Sequence, residues 1–236
     1  MASEARGSAA SRPQPAPYAQ LVAEHGLSAA HRLVIAAVPV GARVLDVGCA
    51  TGYLAAELAR TRGAVVTGVE SDPAAADVAR AHSDEVIAGD ADDPQTFAAL
   101  DAGAFDVAVF ADVLEHLTDP ARALRATQPV LTPRDGLVIV SLPNIAHWTA
   151  RRELLRGRFP KEDHGLFDRT HRHFFTLATA RSLLQDAGLE IIEEHFAPAP
   201  VPLASRIATL RPLAGPATRW RPQLFALQMV LVARPR

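Results

Sequence analysis

Val44–Ala55 reads VLDVGCATGYLA, and the fold follows from how this stretch divides. Residues 42–47 (ARVLDV) form a short, mostly apolar run without strict alternation, as in a strand buried on both faces. Gly48 and Gly52 then allow a tight turn and close backbone approach. Residues 51–61 (TGYLAAELART) follow as a helix. The same alternation repeats along the chain. Further strands are predicted at 64–70, 85–89, 105–111 and 136–143. Helices are predicted at 73–82, as a weak helix near 94–101, and from about Asp119, where Pro129 should break or kink the helix. Strands that take turns with helices imply a parallel, doubly wound α/β sheet with helices on both faces.

The ends of the chain read differently. A helical apolar pattern over 18–38 ends at Pro39, and residues 1–17 are small, polar and proline-rich, the composition of a disordered leader. Near the other end, a helix over 177–188 closes at Gly188, with a strand at 188–197 after it. A proline-rich stretch, 198–222, has room for a short helix before a last strand at 224–233. With no long crossover helix between them, the last two strands suggest an antiparallel pair at the sheet edge.

In a doubly wound sheet the ligand sits beyond the carboxyl ends of the strands. Two cofactors use a loop such as Asp46–Gly52. A dinucleotide presses its pyrophosphate against the second glycine of GxGxxG, but that place is Ala50, and the next glycine position falls on Tyr53. Asp46 would also repel phosphate. S-adenosylmethionine (SAM) carries an ammonium that Asp46 can attract and a carboxylate that the loop amides can face. Glu70, about 20 residues past the glycines, can accept from both ribose hydroxyls. Asp90 can accept from an adenine amino group, with Ala91 lending its amide. Each has a plainer alternative: a simple turn, a surface glutamate and an Asx turn.

Taken together, Val44–Ala55, Val69–Pro73, Gly89–Asp92 and Phe105–Pro120 resemble the ordered motifs of class I SAM-dependent methyltransferases. The resemblance spans about residues 40–145. It implies a Rossmann-like sheet of seven strands, mostly parallel with the last antiparallel. It also implies cofactor contacts from Asp46, Gly48, Cys49, Ala50, Gly52, Glu70, Ser71, Asp90, Ala91 and Ala111.

Methyl transfer needs alignment of nucleophile, methyl and sulfur, and usually the loss of a proton. In this family the segment Ala111–Pro120 faces the acceptor, which makes His116 a candidate base. Asp112, Glu115 and His116 resemble the ExxEH metal motif of ubiquinone-type O-methyltransferases and small-RNA 2′-O-methyltransferases. Asp in the first place shortens the reach, and a site without metal is the favoured reading; Mg²⁺ or Mn²⁺ is the alternative, with His171 as fourth ligand.

Five of the nine histidines lie between 116 and 173. The long polar segment 143–176 reads as an acceptor cap, placing His171 and His147 beside His116 as candidate bases, with His164 a further alternative. It resembles a PNxxHW and DRTHxRFFT-like pattern of bacterial small-molecule methyltransferases, carried by Asp168, Arg169, Thr170, His171 and Phe174. Arg151, Arg152, Arg156 and Arg158 read as a solvated helix face, or as a grip on an acidic acceptor.

The 236 residues fit a single domain over 18–236, with a net charge of -2. With a pI of 6.5 the chain has no general grip on nucleic acid. No apolar run reaches the roughly 18 residues of a membrane span. One cysteine, Cys49, allows no internal disulfide and fits a cytoplasmic setting. The residues therefore point to SAM-dependent methylation of a small molecule, at an oxygen by the abundance of histidine, in secondary or sugar-related metabolism. A metal-assisted RNA 2′-O-methyltransferase, a SAM-binding protein without catalysis and an NAD-dependent oxidoreductase are the competing readings.

Overall fold

The computed structural model describes residues 26–198, 216, 218 and 220–236. Their strands form one seven-stranded sheet in the order β3-β2-β1-β4-β5-β7-β6. The strands are β1 (Arg43–Val47), β2 (Val65–Glu70), β3 (Glu85–Ala88), β4 (Val107–Ala111), β5 (Leu137–Pro143), β6 (Leu189–Pro198) and β7 (Ala226–Pro235). The first five pair in parallel. β7 runs antiparallel to β5 on one side and to β6 on the other. The expected antiparallel pair is therefore present, with the last strand inserted between β5 and β6. The order reverses between β1 and β4, which opens a crevice at their carboxyl ends.

The described helices are α1 (Ala29–Ala37), α2 (Tyr53–Arg62), α3 (Pro73–Ala79), α4 (Gln95–Ala98), α5 (Pro120–Thr127), α6 (Trp148–Leu155), α7 (Leu177–Asp186) and α8 (Pro222–Phe225). Neighbouring residues of one strand go to opposite faces, as the two-residue period of a strand requires. Leu45, Ala108, Phe110 and Val140 pack with Leu124 of α5 and Leu184 of α7. Val44, Val107, Val109 and Ile139 pack with Val34 of α1 and Leu58 of α2. The central strands are mostly apolar because helices cover both sides, with Asp46 and Ser141 as buried polar exceptions.

Several expected boundaries shift. The first helix begins at Ala29, since Ser28 caps it by accepting from the His31 amide while His31 Nδ1 accepts from the Ser28 amide. It stops at Ala37 because the residue before Pro39, Val38, is extended. The helix expected at 94–101 is one turn, Gln95–Ala98. At Pro129, α5 gives way to a 3-10 turn over Gln128–Val130. The 1–17 leader, positions 18–25 of the first helix and most of the proline-rich 198–222 stretch lie outside the described residues. No described helix is long and apolar enough to cross a membrane.

Candidate functional site

The β1 loop is pinned to the end of β2. Gly48 and Cys49 both donate their amides to the Val69 carbonyl, at 2.8 and 3.0 Å. Glu70 Oε2 accepts from the Ala50 amide at 2.9 Å, and its Oε1 accepts from the Asp72 amide at 2.8 Å and from Ser71 Oγ at 3.4 Å. Ala50 sits at φ +49°, in left-handed space that alanine tolerates at some cost. Gly48 has φ +74°, and a Cβ there would lie 2.5 Å from Val113 Cγ2. Gly48→Ala is therefore expected to lower stability by ~1–3 kcal/mol and to weaken SAM binding, because the neighbour must move and the backbone is strained. Thermal unfolding and a SAM titration check this; an unchanged Tm and Kd would remove the need for glycine.

Asp46 is 1% exposed, and its Oδ2 has no partner among the described residues. Burial, and then the charge of Glu70, push its carboxyl up to about 7. A buried oxygen of this kind suits an ammonium group. Gly52, at φ +78°, precedes α2 without a side-chain cap, so the first amides of that helix can meet a carboxylate. Both features fit SAM. Cys49 is buried, with its thiol pushed up to about 12 by burial, so it serves as packing and not as a nucleophile.

Asp90 occupies the expected place after β3, but here its Oδ1 accepts from the Asp92 amide at 2.8 Å, closing an Asx turn. Ala91 is buried beside it. Asp92 ties this loop to the one after β4, accepting from the amides of Thr118 and Asp119. Ala111 ends β4, and Asp112 follows at φ +57°.

Beyond Asp112 lies a cavity of ≈ 380 Å³. Leu27, Pro143, Leu166 and Leu227 give it apolar walls, and His31, Asp112, Glu115, His164 and His171 give it polar ones. No described lysine or arginine lines it. Asp112 Oδ1 accepts from Ser141 Oγ, and both its oxygens accept from Gln228 Nε2 at 2.9 Å. His31 Nε2 stands 4.0 Å from Asp112 Oδ2. His31, Ser141 and Gln228 were not found from sequence. They come from α1, β5 and β7, three elements far apart in the chain, and no motif marks them.

Glu115 is 1% exposed with Oε2 unpartnered, and burial, helped by the charge of Asp112, raises its carboxyl well above the usual carboxylate range. His171 is buried, and neither ring nitrogen has a hydrogen-bond partner among the described residues. Its Nε2 lies 3.9 Å from Glu115 Oε1, and its ring meets that of His116 edge-on at 4.8 Å. Burial, and then His116, lower its pKa, so the ring is neutral at pH 7. His116 is half-buried, with Nδ1 3.1 Å from Thr170 Oγ1.

One ligand atom from each of Glu115, His116 and His171 lies within 4.8 Å of the others, a spacing that could hold a metal ion. Asp112, the first residue of the expected metal motif, falls outside this group, its carboxylate held by Ser141 and Gln228. His147 is also displaced from its expected role. It caps α6, with Nδ1 2.7 Å from Thr149 Oγ1; burial lowers its pKa to about 4, and it lines neither described cavity.

The arginines of 151–158 are engaged locally. Arg152, Arg156 and Arg158 converge on Glu153 at 3.3, 3.2 and 2.5 Å, and Arg151 donates to the Ala146 carbonyl at 2.6 Å. Arg152 and Arg158 line a second cavity, of ≈ 550 Å³, that meets the first at Leu166 and Leu227.

Comparisons with known proteins show the family and the fold. A family described as "Methyltransferase domain" matches residues 20–194. A ubiquinone biosynthesis O-methyltransferase of Xanthomonas axonopodis pv. citri is 33% identical over 160 residues, 65% of this chain and 64% of that one. The aligned part thus spans less than two thirds of that relative's length. Among solved structures, a SAM-dependent methyltransferase from Thermotoga maritima superposes with a TM-score of 0.64 at 19% identity, over 93% of this chain and 95% of that one. An S-adenosylmethionine-dependent methyltransferase from Mesorhizobium loti gives a TM-score of 0.60 at 20% identity, over 88% and 98%.

Proposed function

Since the chain belongs to the methyltransferase-domain family, within the class I SAM-dependent methyltransferases, we propose that it methylates a hydroxyl of a small-molecule acceptor, with His171 as the base. SAM supplies the methyl group on a positively charged sulfur. The chain's own residues bind and orient: Asp46 faces the ammonium, the start of α2 the carboxylate, and Glu70 the ribose, with Ser71, Asp90 and Ala91 at the adenine side. Residues 143–176 act as the cap of a single catalytic unit over 18–236. The acceptor enters the ≈ 380 Å³ cavity, and its hydroxyl proton passes to a ring nitrogen of His171 as the oxygen takes the methyl.

The observation that carries this reading is His171 itself. It lines the cavity, it is neutral, and neither of its nitrogens has a hydrogen-bond partner among the described residues. Of the four candidate bases, His116 and His147 do not line that cavity, and His164 lines it from an exposed position, which leaves His171 as the buried one. The lack of described basic residues in the walls favours a neutral acceptor over an RNA backbone. We place the reaction in secondary or sugar-related metabolism in the cytoplasm. A specific observation favours a second, metal-assisted version: the closeness of Glu115, His116 and His171.

The test is incubation of the full chain with methyl-labelled SAM and a panel of neutral aromatic and sugar hydroxyl acceptors, with and without chelator. Label in an ether product, undiminished by chelator, supports the acid–base reading. Loss of label with chelator transfers support to the metal. SAM binding without transfer to any hydroxyl would overturn the enzymatic reading.

A further inference from the structure

We infer that Thr170 and Asp168 are positioning residues that fix the His116 ring as a wall behind His171. This rests on the reading of His171 as the base. The argument starts from the single proton of a hydroxyl group. Thr170 Oγ1 lies 2.6 Å from Asp168 Oδ1, and a carboxylate can only accept, so the hydroxyl proton is spent there. The same Oδ1 takes the Thr170 amide at 2.8 Å. Thr170 Oγ1 is left as an acceptor toward His116 Nδ1 at 3.1 Å. His116 therefore carries its proton on Nδ1 and its lone pair on Nε2.

An Asx turn through Asp168 and Thr170 alone would be ordinary loop chemistry. The bond from Thr170 to His116 is not, because it joins two segments 54 residues apart. The neighbouring backbone reinforces it, since Arg172 and His173 donate their amides to the Glu115 carbonyl at 2.8 and 3.1 Å. Asp168 is 2% exposed, so the relay is anchored on a buried carboxylate, while Thr170 itself is exposed.

His171 depends on this frame. With no hydrogen bond to its ring among the described residues, the ring is set by what packs on it. Those neighbours are His116 at 4.8 Å and Phe174 at 6.0 Å, both edge-on, with Glu115 Oε1 3.9 Å from its Nε2. Its backbone is set by the same turn, where the His171 amide donates to the Asp168 carbonyl at 3.2 Å. The relay thus fixes both the attachment of His171 and one wall of its ring.

The experiment compares Thr170→Val and Thr170→Ser in the wild-type and His171→Ala backgrounds, on the acceptor found above. Thr170→Val should lower kcat about tenfold, since a base loses rate steeply when its angle drifts, with acceptor KM and SAM Kd within about twofold. Thr170→Ser should restore most of the rate. In the His171→Ala background, Thr170→Val should have no further effect. An equal loss in both backgrounds, or a loss confined to KM or Tm, would overturn the inference. ¹⁵N spectra of His116 give a second reading that needs no acceptor: Nδ1 protonated in the wild type, and a shift toward the Nε2–H tautomer in Thr170→Val. Nε2–H already in the wild type would overturn the relay. Full turnover by His171→Ala alone would remove the base reading, while the spectra would still report on the relay.

Discussion

His171→Ala should lower turnover by roughly 10²–10⁴-fold, the usual contribution of a positioned general base, with SAM affinity little changed. The expectation follows from placement. His171 borders the acceptor cavity, whereas the cofactor loop is anchored by Val69 and Glu70 on the β2 side. Because burial and His116 keep the ring neutral, its lone pair is available at pH 7 without prior loss of a proton. The side chain makes no hydrogen bond among the described residues, so its removal should cost mainly packing. His147→Ala is the matched control. It removes the α6 cap, should cost about 1 kcal/mol of stability, and should leave turnover close to wild type. Steady-state rates and thermal melts of the two variants decide the matter. Equal turnover losses in both would mean that neither is the base and that the cap tolerates no change at all.

What could be read from the sequence, and what could not, separates along chain distance. The parallel strands announced themselves as short, mostly apolar runs, because the central ones are covered on both faces and leave few positions for polar side chains. The turn after β1 was legible for a similarly local reason: Asp46, Gly48, Gly52 and Glu70 lie within one strand–turn–helix unit and its neighbour. The acceptor side was legible only in part. His116 and His171 stood out as residue types, yet their edge-on contact depends on a loop folding back across 54 residues. Asp112 looked like a metal ligand because its partners, Ser141 and Gln228, are 29 and 116 residues away. His147 looked catalytic because spacing does not reveal that a histidine can cap a helix through Nδ1. His31 carried no chemical signal at all until α1 was seen packed beside Asp112. Charge showed the same limit, since the run of arginines after His147 is absorbed by Glu153 in its midst.

Asp46→Asn should make the ligand-free protein more stable at alkaline pH while weakening SAM binding by roughly 10- to 100-fold. The carboxyl has a folded pKa of about 7 against an ordinary value of 3.8, set by burial and by Glu70. Below about pH 4 the group is protonated in both folded and unfolded chains and costs nothing. Between about pH 4 and 7 the unfolded chain ionises while the folded one resists, so stability falls as pH rises. Above pH 7 the full penalty is present, on the order of 4 kcal/mol. Asparagine keeps the shape and removes the charge, so the variant's melting temperature should lose most of this slope between pH 5 and 8.5. Binding should move the opposite way. In the proposed binding mode the ammonium of SAM would supply the partner that Asp46 Oδ2 lacks among the described residues, and a hydrogen bond to a charged group contributes about 1.5–3 kcal/mol. Wild-type affinity for SAM should therefore rise with pH through about 7 and then level off, and that rise should vanish in the variant. Melting curves across the pH range and calorimetric titration with SAM measure both halves. A wild type whose stability is as flat with pH as the variant's would show that Asp46 is not strained. An unchanged Kd would show that the ammonium is held elsewhere. Joint agreement would mean that this loop keeps a buried charge at the expense of the ligand-free fold, and that SAM restores the balance by entering beside it.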